Sequence, residues 1–319
     1  MKAVQILGDA SSPKIVTTDS IAIPSLKGAE ILIRVLASGV TGDEVLWPEV
    51  YETTSRIPGH DVSGVIAAFG PHYNGPLAVG QDVVALLAAD RGQGQAEYTI
   101  CLADEVALKP DSITHEEAAA LPIPVLTAWQ AVVDHGKLTA GTTGMRILIT
   151  GASGAVGMLA VQFAIRLADA NVIALASSRN HRTLKQLGVQ DVDLHDYNTP
   201  GWEANIKDVD VVFDTVGGDV LRKTWETVKS DGIIITVGDP APAWAFGGGK
   251  APESADYPDV RYMHFIVSPD SHTLARALEM IGDGSIKPLE VESIPVEKAD
   301  QAWERARQRG RSKKIVITF

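Results

Sequence analysis

The sequence predicts an α/β protein in which a doubly wound parallel sheet is joined to a second, β-rich domain. Between about residues 121 and 262, short apolar segments alternate with segments of helical character, a pattern typical of a doubly wound sheet. Residues 1 to about 120 instead carry short apolar strands separated by glycine and proline, which is typical of compact β structure. The length of 319 residues also favours two domains over one.

The expected elements follow the chain in three regions. The first region contains apolar strands at 31–36, 64–69 and 98–102. The second contains strands separated by helices at 146–150, 171–176, 209–214 and 232–237, and an apolar segment at 263–267 is expected to add an edge strand. The tail contains a helix near 298–308 and a final strand at 314–318, which is expected to pair back into the first region.

Three glycines spaced three residues apart indicate a phosphate-binding turn after the 146–150 strand. A strand that turns into a helix presents backbone N–H groups and the positive end of the helix dipole, which suits a pyrophosphate. Glycine allows the sharp turn and the close approach of phosphate oxygens. The alternative is a purely structural turn. The residues expected to contact a dinucleotide here are Gly151, Ser153, Gly154, Ala155, Val156 and Gly157.

The segment after the 171–176 strand favours NADPH over NADH. An NAD site usually places Asp or Glu here, roughly twenty residues past the glycines, to hold the ribose 2′-OH. No acid lies between Leu175 and Lys185, whereas Ser177, Ser178 and Arg179 can hydrogen-bond and neutralise a 2′-phosphate. The alternative interpretation of this segment is a solvated start to the next helix.

Composition argues against several classes of function. The net charge of −12 and the pI of about 5.1 disfavour nucleic acid or an anionic membrane as a partner. No apolar run reaches the length of a membrane span, and no signal peptide is visible. The single cysteine, Cys101, excludes an internal disulfide and fits a reducing compartment, so a cytoplasmic location is expected.

Five short motifs follow one another along nearly the whole chain: GHDVSGV at 59–65, GQDVV at 80–84, AEY at 96–98, AAALP with LTAW within 118–129, and DTVGG at 214–218. In this order and spacing they resemble the medium-chain dehydrogenase/reductase superfamily, and in particular its zinc-independent quinone oxidoreductases of the zeta-crystallin type. The resemblance implies a GroES-like substrate domain formed by residues 1–121 and 268–319. It also implies a Rossmann NADPH-binding domain formed by residues 122–267.

The same resemblance implies further cofactor contacts. Thr127 is expected near the nicotinamide, with a helix N-cap as the alternative role. Tyr197 is expected beside the 2′-phosphate or the adenine, with a core or surface role as the alternative. For Phe265, simple core packing is the alternative to an approach to the nicotinamide. The residues implied in addition to the two turns are Thr127, Tyr197, Val216, Val237, Gly238, Phe265 and Val267.

The resemblance also implies a site without metal. A sister branch of the superfamily uses catalytic zinc, which requires thiolate and imidazole ligands in tetrahedral geometry. Thr41 occupies the position of that branch's first cysteine, and Cys101 is expected to be a small core residue. His60 and Asp61 are expected to form a hydrogen-bonded pair rather than a metal site. No zinc is therefore expected.

Without zinc, the expected chemistry is hydride transfer from NADPH to an activated double bond. Thr41 is a candidate hydrogen-bond donor to the conjugated oxygen, on which negative charge develops. Tyr51 lies near the position of a tyrosine proton donor in related enoyl reductases, and its alternative role is to cap a loop. Asp43 and Glu44 are expected to be loop charges or hydrogen-bond anchors.

The expected function is NADPH-dependent reduction of quinones or α,β-unsaturated carbonyl compounds. The first alternative is a biosynthetic enoyl reductase dedicated to one intermediate. The second, from another class, is an NADPH-binding protein with little catalysis. The sequence does not decide among these substrates, but the aromatic residues near Trp47 and in segment 239–250 suit a flat or hydrophobic small molecule.

Two further features concern the surface. Segment 239–250 is rich in proline, glycine and aromatic residues, and the sequence leaves open whether it is a mobile flap over the substrate or a disordered loop. An exposed apolar edge at segment 262–267 is prone to aggregation unless it is covered. The family resemblance implies that this segment pairs with its copy in a second subunit. A homodimer is therefore expected. The alternative is a monomer whose edge is shielded by residues 239–258.

Overall fold

The computed structural model describes residues 1–308 and 310–319 and divides into two units. The first unit comprises residues 1–126 and 268–319, and the second comprises residues 127–267. The break after residue 126 falls later than the expected boundary at residue 121. The reason is that the helix beginning at Pro122 is tied to the first unit, where the Ile123 N–H donates to the Asp61 carboxylate at 2.6 Å.

The strands of the described residues form the framework of both units. In chain order they are β1 (Ala3–Leu7), β2 (Lys14–Thr18), β3 (Ile31–Gly39), β4 (Asp61–Phe69), β5 (Asp82–Leu86), β6 (Tyr98–Cys101), β7 (Val106–Leu108), β8 (Arg146–Thr150), β9 (Asn171–Leu175), β10 (Leu194–His195), β11 (Val209–Asp214), β12 (Val228–Thr236), β13 (Arg261–His264), β14 (Val291–Pro295) and β15 (Lys314–Thr318).

The helices connect these strands. They are α1 (Pro48–Glu52), α2 (His115–Ala119), α3 (Pro122–Trp129), which continues into a π-helical stretch at Gln130–His135, α4 (Ala155–Ala168), α5 (His181–Gln186), α6 (Gly218–Thr224), α7 (Ser271–Gly282) and α8 (Ala299–Arg307). Short 3₁₀ turns lie at Glu44–Leu46, Ser178–Asn180, Asp191–Asp193, Trp202–Asn205, Ala245–Gly247, Pro252–Ala255 and Val296–Lys298.

The first unit is built on a largely antiparallel sheet with the strand order β14-β15-β3-β4-β5-β7. The long strand β3 organises this sheet, because β15 and β6 pair with different halves of its one edge while β4 pairs with the other. The final strand β15 therefore returns to the N-terminal part of the chain, as predicted. Buried aliphatic side chains of β3, β4 and β5 form one core, and Trp303 of α8 packs into a second.

The second unit is a six-stranded sheet with the order β10-β9-β8-β11-β12-β13, and every pairing in it is parallel. β8 lies near the centre and has β9 on one side and β11 on the other. Strands β8, β9 and β11 are almost entirely buried, as expected for a parallel sheet covered on both faces. The predicted doubly wound arrangement is confirmed. Since such sheets bind ligands beyond the carboxyl ends of their strands, the loops after β8, β9, β11 and β12 define where to look for a site.

The edge strand of this sheet differs from the prediction. The apolar pattern predicts a strand at residues 263–267, but the strand runs from Arg261 to His264, and Phe265–Val267 lie beyond it. The ladder stops there because its partner β12 ends at Thr236, the residue paired with His264. The apolar residues continue to Val267, but β12 offers no further residues for β13 to pair with after His264.

Among the described residues, no helix has both the length and the apolar character needed to cross a membrane.

Candidate functional site

The glycine-rich turn of the second unit connects β8 to α4. Gly151 has a φ of +61°, a left-handed conformation that L side chains rarely adopt, and its carbonyl accepts the Gly154 N–H at 2.8 Å. A Cβ atom on Gly157 would lie 2.3 Å from the Gly151 carbonyl oxygen, so the helix can start this close to the turn only with glycine there. The N-cap Gly154 has no side chain to satisfy the first N–H groups of the helix. Those groups are suited to an anion such as a pyrophosphate.

A buried carboxylate, Asp214, holds together the loops at the carboxyl ends of β8, β11 and β12. Its side chain is fully buried and accepts the hydroxyls of Thr150 at 2.5 Å and Thr236 at 2.7 Å. It also accepts the N–H of Gly217 at 2.9 Å. Asp214 belongs to the DTVGG motif, which by itself does not indicate this role. The residue pattern within each of the three strands does not show that the residues at their carboxyl ends all hydrogen-bond to the same carboxylate.

The loops after β11 and β12 approach each other closely at two glycines. A Cβ atom on Gly238 would lie 2.5 Å from the backbone of Gly217, which itself has a φ of +76°. Val216 is exposed beside them, and the N–H of Val237 is held by the Asp214 carbonyl at 3.0 Å. The structure thus brings Val216, Val237 and Gly238 together at the same sheet edge as the glycine-rich turn.

The turn after β9 is linked to the glycine-rich turn by Asn180. Its side-chain amide donates to the hydroxyl of Ser153 at 2.9 Å and to that of Ser177 at 3.1 Å. Ser178 and Arg179 are exposed in the same turn. The residues predicted to bind the pyrophosphate and the 2′-phosphate therefore lie at adjacent strand ends. Asn180, which the sequence analysis passed over, fixes the distance between the two turns.

A carboxylate missed by the sequence analysis also faces this turn. Asp196 follows β10 and accepts the Ser178 N–H at 2.9 Å. It lies outside the window of residues 175–185 in which acids were sought, but the parallel pairing of β9 with β10 brings it alongside. The next residue, Tyr197, has half of its surface exposed, so its ring is accessible near the same turn.

The remaining predicted cofactor residues lie in different surroundings. Thr127 is buried within α3 rather than at its start, so the alternative of a helix N-cap is wrong. Phe265 packs against His135 with ring centroids 4.7 Å apart, and it is only partly buried. Val267 is partly buried as well. The structure therefore leaves Phe265 and Val267 partly accessible just beyond the end of β13.

The proline- and glycine-rich segment 239–258 is anchored to the second unit. Trp244 packs edge-on against Tyr262 at 5.1 Å, and Ala251 is buried and donates its N–H to the Tyr262 hydroxyl at 3.1 Å. Phe246 contacts His264 at 4.9 Å between ring centroids yet remains 75% exposed. The segment is thus anchored by Trp244 and Ala251 on the two sides of the exposed Phe246.

In the first unit, a buried lysine contacts the predicted donor Thr41. The Lys314 ammonium donates to the Thr41 hydroxyl oxygen at 3.2 Å and lies 3.6 Å from the Asp61 carboxylate. Asp61 is 1% exposed, and its other oxygen accepts the Ile123 N–H. Burial raises the pKa of Asp61, and the positive charge of Lys314 opposes that rise. Lys314 was not predictable as a partner of Thr41, because it lies 273 residues away in the sequence and resembles an ordinary strand residue.

The predicted hydrogen bond between His60 and Asp61 is wrong. The His60 ring faces Glu44 instead, with Nδ1 3.1 Å from the carboxylate but without the alignment of a hydrogen bond. Adjacent residues of an extended chain point in opposite directions, which separates the two side chains. Burial is the largest single influence on the pKa of His60 and lowers it. The carboxylate of Glu44, the Ala89 carbonyl and the charge of Asp61 together raise the pKa overall. Glu44 is buried and anchors the Gly59 N–H at 2.6 Å, which is the anchor role left open for it.

Tyr51, the second catalytic candidate, has its hydroxyl engaged. The hydroxyl donates to the Val45 carbonyl at 2.6 Å, and the ring packs on the core of the first unit. Burial raises the pKa of the phenol, which makes it a weaker acid. This geometry corresponds to the alternative in which Tyr51 ties down a loop.

The described residues contain no group of three or more His, Cys, Asp and Glu side chains placed to hold a metal ion. Cys101 is buried, and burial raises the pKa of its thiol far above the ordinary range. The available side chains around Thr41 and His60 therefore provide an ammonium and two carboxylates but no thiolate.

Comparison with known proteins agrees with this architecture. Residues 27–114 match the family model described as alcohol dehydrogenase GroES-like domain. Residues 187–317 match the model described as zinc-binding dehydrogenase. The first of these confirms the predicted GroES-like domain, and the second covers most of the parallel sheet and the C-terminal tail.

Individual relatives extend over nearly the whole chain. A probable zinc-binding oxidoreductase, mitochondrial, of Arthroderma benhamiae is 32% identical over 92% of this chain and 89% of its own. The human NAD(P)H oxidoreductase RTN4IP1, mitochondrial, is 30% identical over 80% of this chain and 69% of its own. A solved quinone oxidoreductase from Coxiella burnetii superposes over the full length of both chains with a TM-score of 0.84 at 24% identity, which shows a common fold. The chain belongs to the medium-chain dehydrogenase/reductase superfamily, as an oxidoreductase of the quinone-oxidoreductase-like type.

Proposed function

We propose that this oxidoreductase is a zinc-independent, NADPH-dependent reductase of quinones or α,β-unsaturated carbonyl compounds. The observation that carries the proposal is the pair of turns after β8 and β9, in which a glycine cradle and the Ser177–Arg179 segment are joined by Asn180. This set of donors fits a dinucleotide with a 2′-phosphate. The name of the human relative, an NAD(P)H oxidoreductase, supports a nicotinamide cofactor. The Coxiella protein, which has the same fold, is a quinone oxidoreductase, and this supports the quinone class.

The chain's own task in such a reaction is to bind, orient and stabilise charge. Bound NADPH supplies a hydride to an electron-poor carbon, and a proton completes the reduction. Negative charge then develops on the conjugated oxygen, which a positioned donor stabilises. A hydroxyl has one hydrogen and two lone pairs, so Thr41 can accept from Lys314 and still donate to a substrate oxygen. The Tyr51 hydroxyl already donates its hydrogen to the Val45 carbonyl. This supports Thr41 rather than Tyr51 as the donor to the substrate oxygen.

Thr41→Val is expected to lower kcat by about tenfold or more, because the donor to the developing charge is lost. Thr41→Ser, which keeps the hydroxyl, is the matched control and should retain most of the activity. Steady-state NADPH oxidation with a small quinone measures both. Tyr51→Phe should change kcat by less than Thr41→Val. If Tyr51→Phe abolishes turnover while Thr41→Val does not, the two assignments are reversed.

A panel of quinones and enones tests the function itself. Turnover of several members with NADPH, retained after exhaustive dialysis against a chelator, is expected. Turnover of a single enoyl substrate would point to a dedicated biosynthetic reductase. Tight NADPH binding without turnover of any member, or a bound zinc whose removal abolishes activity, would contradict the proposal.

Arg179→Ala is expected to weaken NADPH binding by about tenfold or more and to leave NADH binding nearly unchanged. The physical reason is that a charge-assisted hydrogen bond contributes roughly 1.5–3 kcal/mol. Isothermal titration of each cofactor measures the difference. Arg222→Ala is a suitable control, since that arginine is exposed on α6 and paired with Asp219. NADPH binding by Arg179→Ala that is as tight as that of the Arg222→Ala control would refute a 2′-phosphate site at this turn.

We also propose a homodimer in which β13 of each subunit pairs with the other across a two-fold axis. Within the described residues β13 pairs only with β12, so its outer backbone edge is available. Segment 239–258 reaches this strand through side chains, such as the Tyr262 hydroxyl, rather than through a ladder on its edge. Such pairing satisfies both edges at once.

Light scattering at micromolar concentration is expected to give about twice the chain mass of 33.9 kDa. The reason is that dimerisation removes two unpaired strand edges from solvent. Adding NADPH should not change the mass. A mass of one chain, with or without NADPH, would favour the monomer with a shielded edge.

A further inference from the structure

Two oppositely charged side chains lie at the turn after β9. Arg179 belongs to the turn itself, whereas Asp196 follows the neighbouring strand β10. β10 pairs with β9 in parallel, with His195 opposite Leu175, and the Ala176 N–H donates to the His195 carbonyl at 3.0 Å. This pairing places the residue after β10 beside the residues after β9. Asp196 consequently reaches Ser178 although 18 residues separate them in sequence.

The Asp196 side chain is held in place by three donor groups. One carboxylate oxygen accepts the Ser178 N–H at 2.9 Å. The other accepts the backbone N–H and the side-chain amide of Asn198, both at 2.8 Å. The backbone bonds, first that from Asn198 and then that from Ser178, lower the pKa of Asp196 to about 2. The carboxylate is therefore ionised at neutral pH and has a defined orientation.

An ionised carboxylate at this place acts in opposite ways on the two cofactors. A 2′-phosphate carries about −1.5 to −2 charges, so Asp196 repels it, and Asp196 also occupies an N–H that the phosphate would otherwise use. A ribose 2′-OH is a hydrogen-bond donor, and a carboxylate is the group that Rossmann sites use to accept it. Arg179, in the same turn, attracts the 2′-phosphate and therefore opposes the effect of Asp196 on NADPH.

We infer that Asp196 is a specificity-determining residue that reduces the preference for NADPH and keeps NADH usable. This inference rests on the proposed function, since it assumes that the two turns bind a nicotinamide dinucleotide. It adds that the preference is a balance between Arg179 and a carboxylate contributed by the next strand. The unmodified protein should therefore discriminate between the cofactors less than a site with Arg179 alone.

Asp196→Asn removes the charge but keeps an oxygen that can accept from Ser178 or Asn198. The ratio of the NADH to the NADPH dissociation constant is expected to rise on the order of tenfold, because one like charge near the phosphate is lost. Tighter NADPH binding should account for most of the change. Asp196→Ser, which also removes the charge and keeps an acceptor, should shift the ratio in the same direction. Titrations with 2′,5′-ADP and 5′-AMP should reproduce the shift, since these probes differ only at the 2′ position.

Asp193→Asn is the matched control, because Asp193 lies in the same segment just before β10. It should leave the ratio unchanged. If Asp196→Asn weakens both cofactors equally or leaves the ratio unchanged, Asp196 only shapes the turn and the inference is overturned while the proposed function stands. If the unmodified protein binds neither NADPH nor NADH, the proposed function and this inference fail together.

Discussion

Asp214→Ala is expected to lower the free energy of unfolding of the parallel-sheet unit by roughly 3–5 kcal/mol. The substitution removes the common acceptor of Thr150, Thr236 and the Gly217 N–H, all of them buried. Each buried donor left without a partner costs about 1–3 kcal/mol. Because the same carboxylate fixes the loops after β8, β11 and β12, NADPH affinity should also fall, by about tenfold or more. Urea denaturation and cofactor titration measure the two effects.

Asp219→Ala provides the comparison. Asp219 lies in the next helix, α6, is exposed and pairs with Arg222 on the surface, so its removal should leave the urea midpoint nearly unchanged. Asp214→Asn should fall between the two, because it keeps the shape and one acceptor oxygen. Equal urea midpoints for Asp214→Ala and Asp219→Ala would show that the carboxylate does not hold the loops.

Lys314→Met is expected to lower the free energy of unfolding of the first unit by about 3–5 kcal/mol. It leaves the Asp61 carboxylate buried without its cation, and uncompensated buried charges are strongly destabilising. The double variant Lys314→Met with Asp61→Asn should recover most of this loss, because neutral groups then replace both charges. Denaturant unfolding of the single and double variants gives the coupling between the two residues.

Lys313→Met is the control for this pair, since Lys313 directly precedes Lys314 in the chain and is exposed. It should be nearly neutral. Strictly additive effects in the double variant would contradict a coupled ion pair. Turnover adds a second readout: Lys314→Met should lower kcat in a way that Lys313→Met does not, because Lys314 also holds the Thr41 hydroxyl.

The two turns proposed to bind the cofactor show how much of the site local sequence can predict. The glycine-rich turn was predictable, because Gly151 adopts a left-handed backbone and Gly157 leaves no space for a Cβ atom. Both constraints act within a few residues, and both require glycine, so they are visible in the sequence. The same holds for the Ser177–Arg179 segment, which lies directly after a strand whose apolar run is plain in the sequence.

The groups that tune those turns were not predictable in the same way. Asn180 joins the two turns, and Asp196 faces Ser178 from the end of another strand. Asp196 lies outside residues 175–185 but still faces Ser178, because strand order, not distance along the chain, decides which loops become neighbours. We therefore infer a cofactor preference in which Asp196 opposes Arg179.

The first unit shows the same division. The sequence by itself determined the β-rich character of this part and the parallel sheet that follows, since these depend on periodicity and on local residue types. The family resemblance, and not periodicity, made Thr41 the donor candidate. Only the tertiary structure decided that Lys314 contacts Thr41, that His60 faces Glu44 instead of Asp61, and that β13 stops at His264. Each of these features depends on a partner in another segment of the chain. Such a contact produces no periodic residue pattern in either segment, so neither segment predicts it alone.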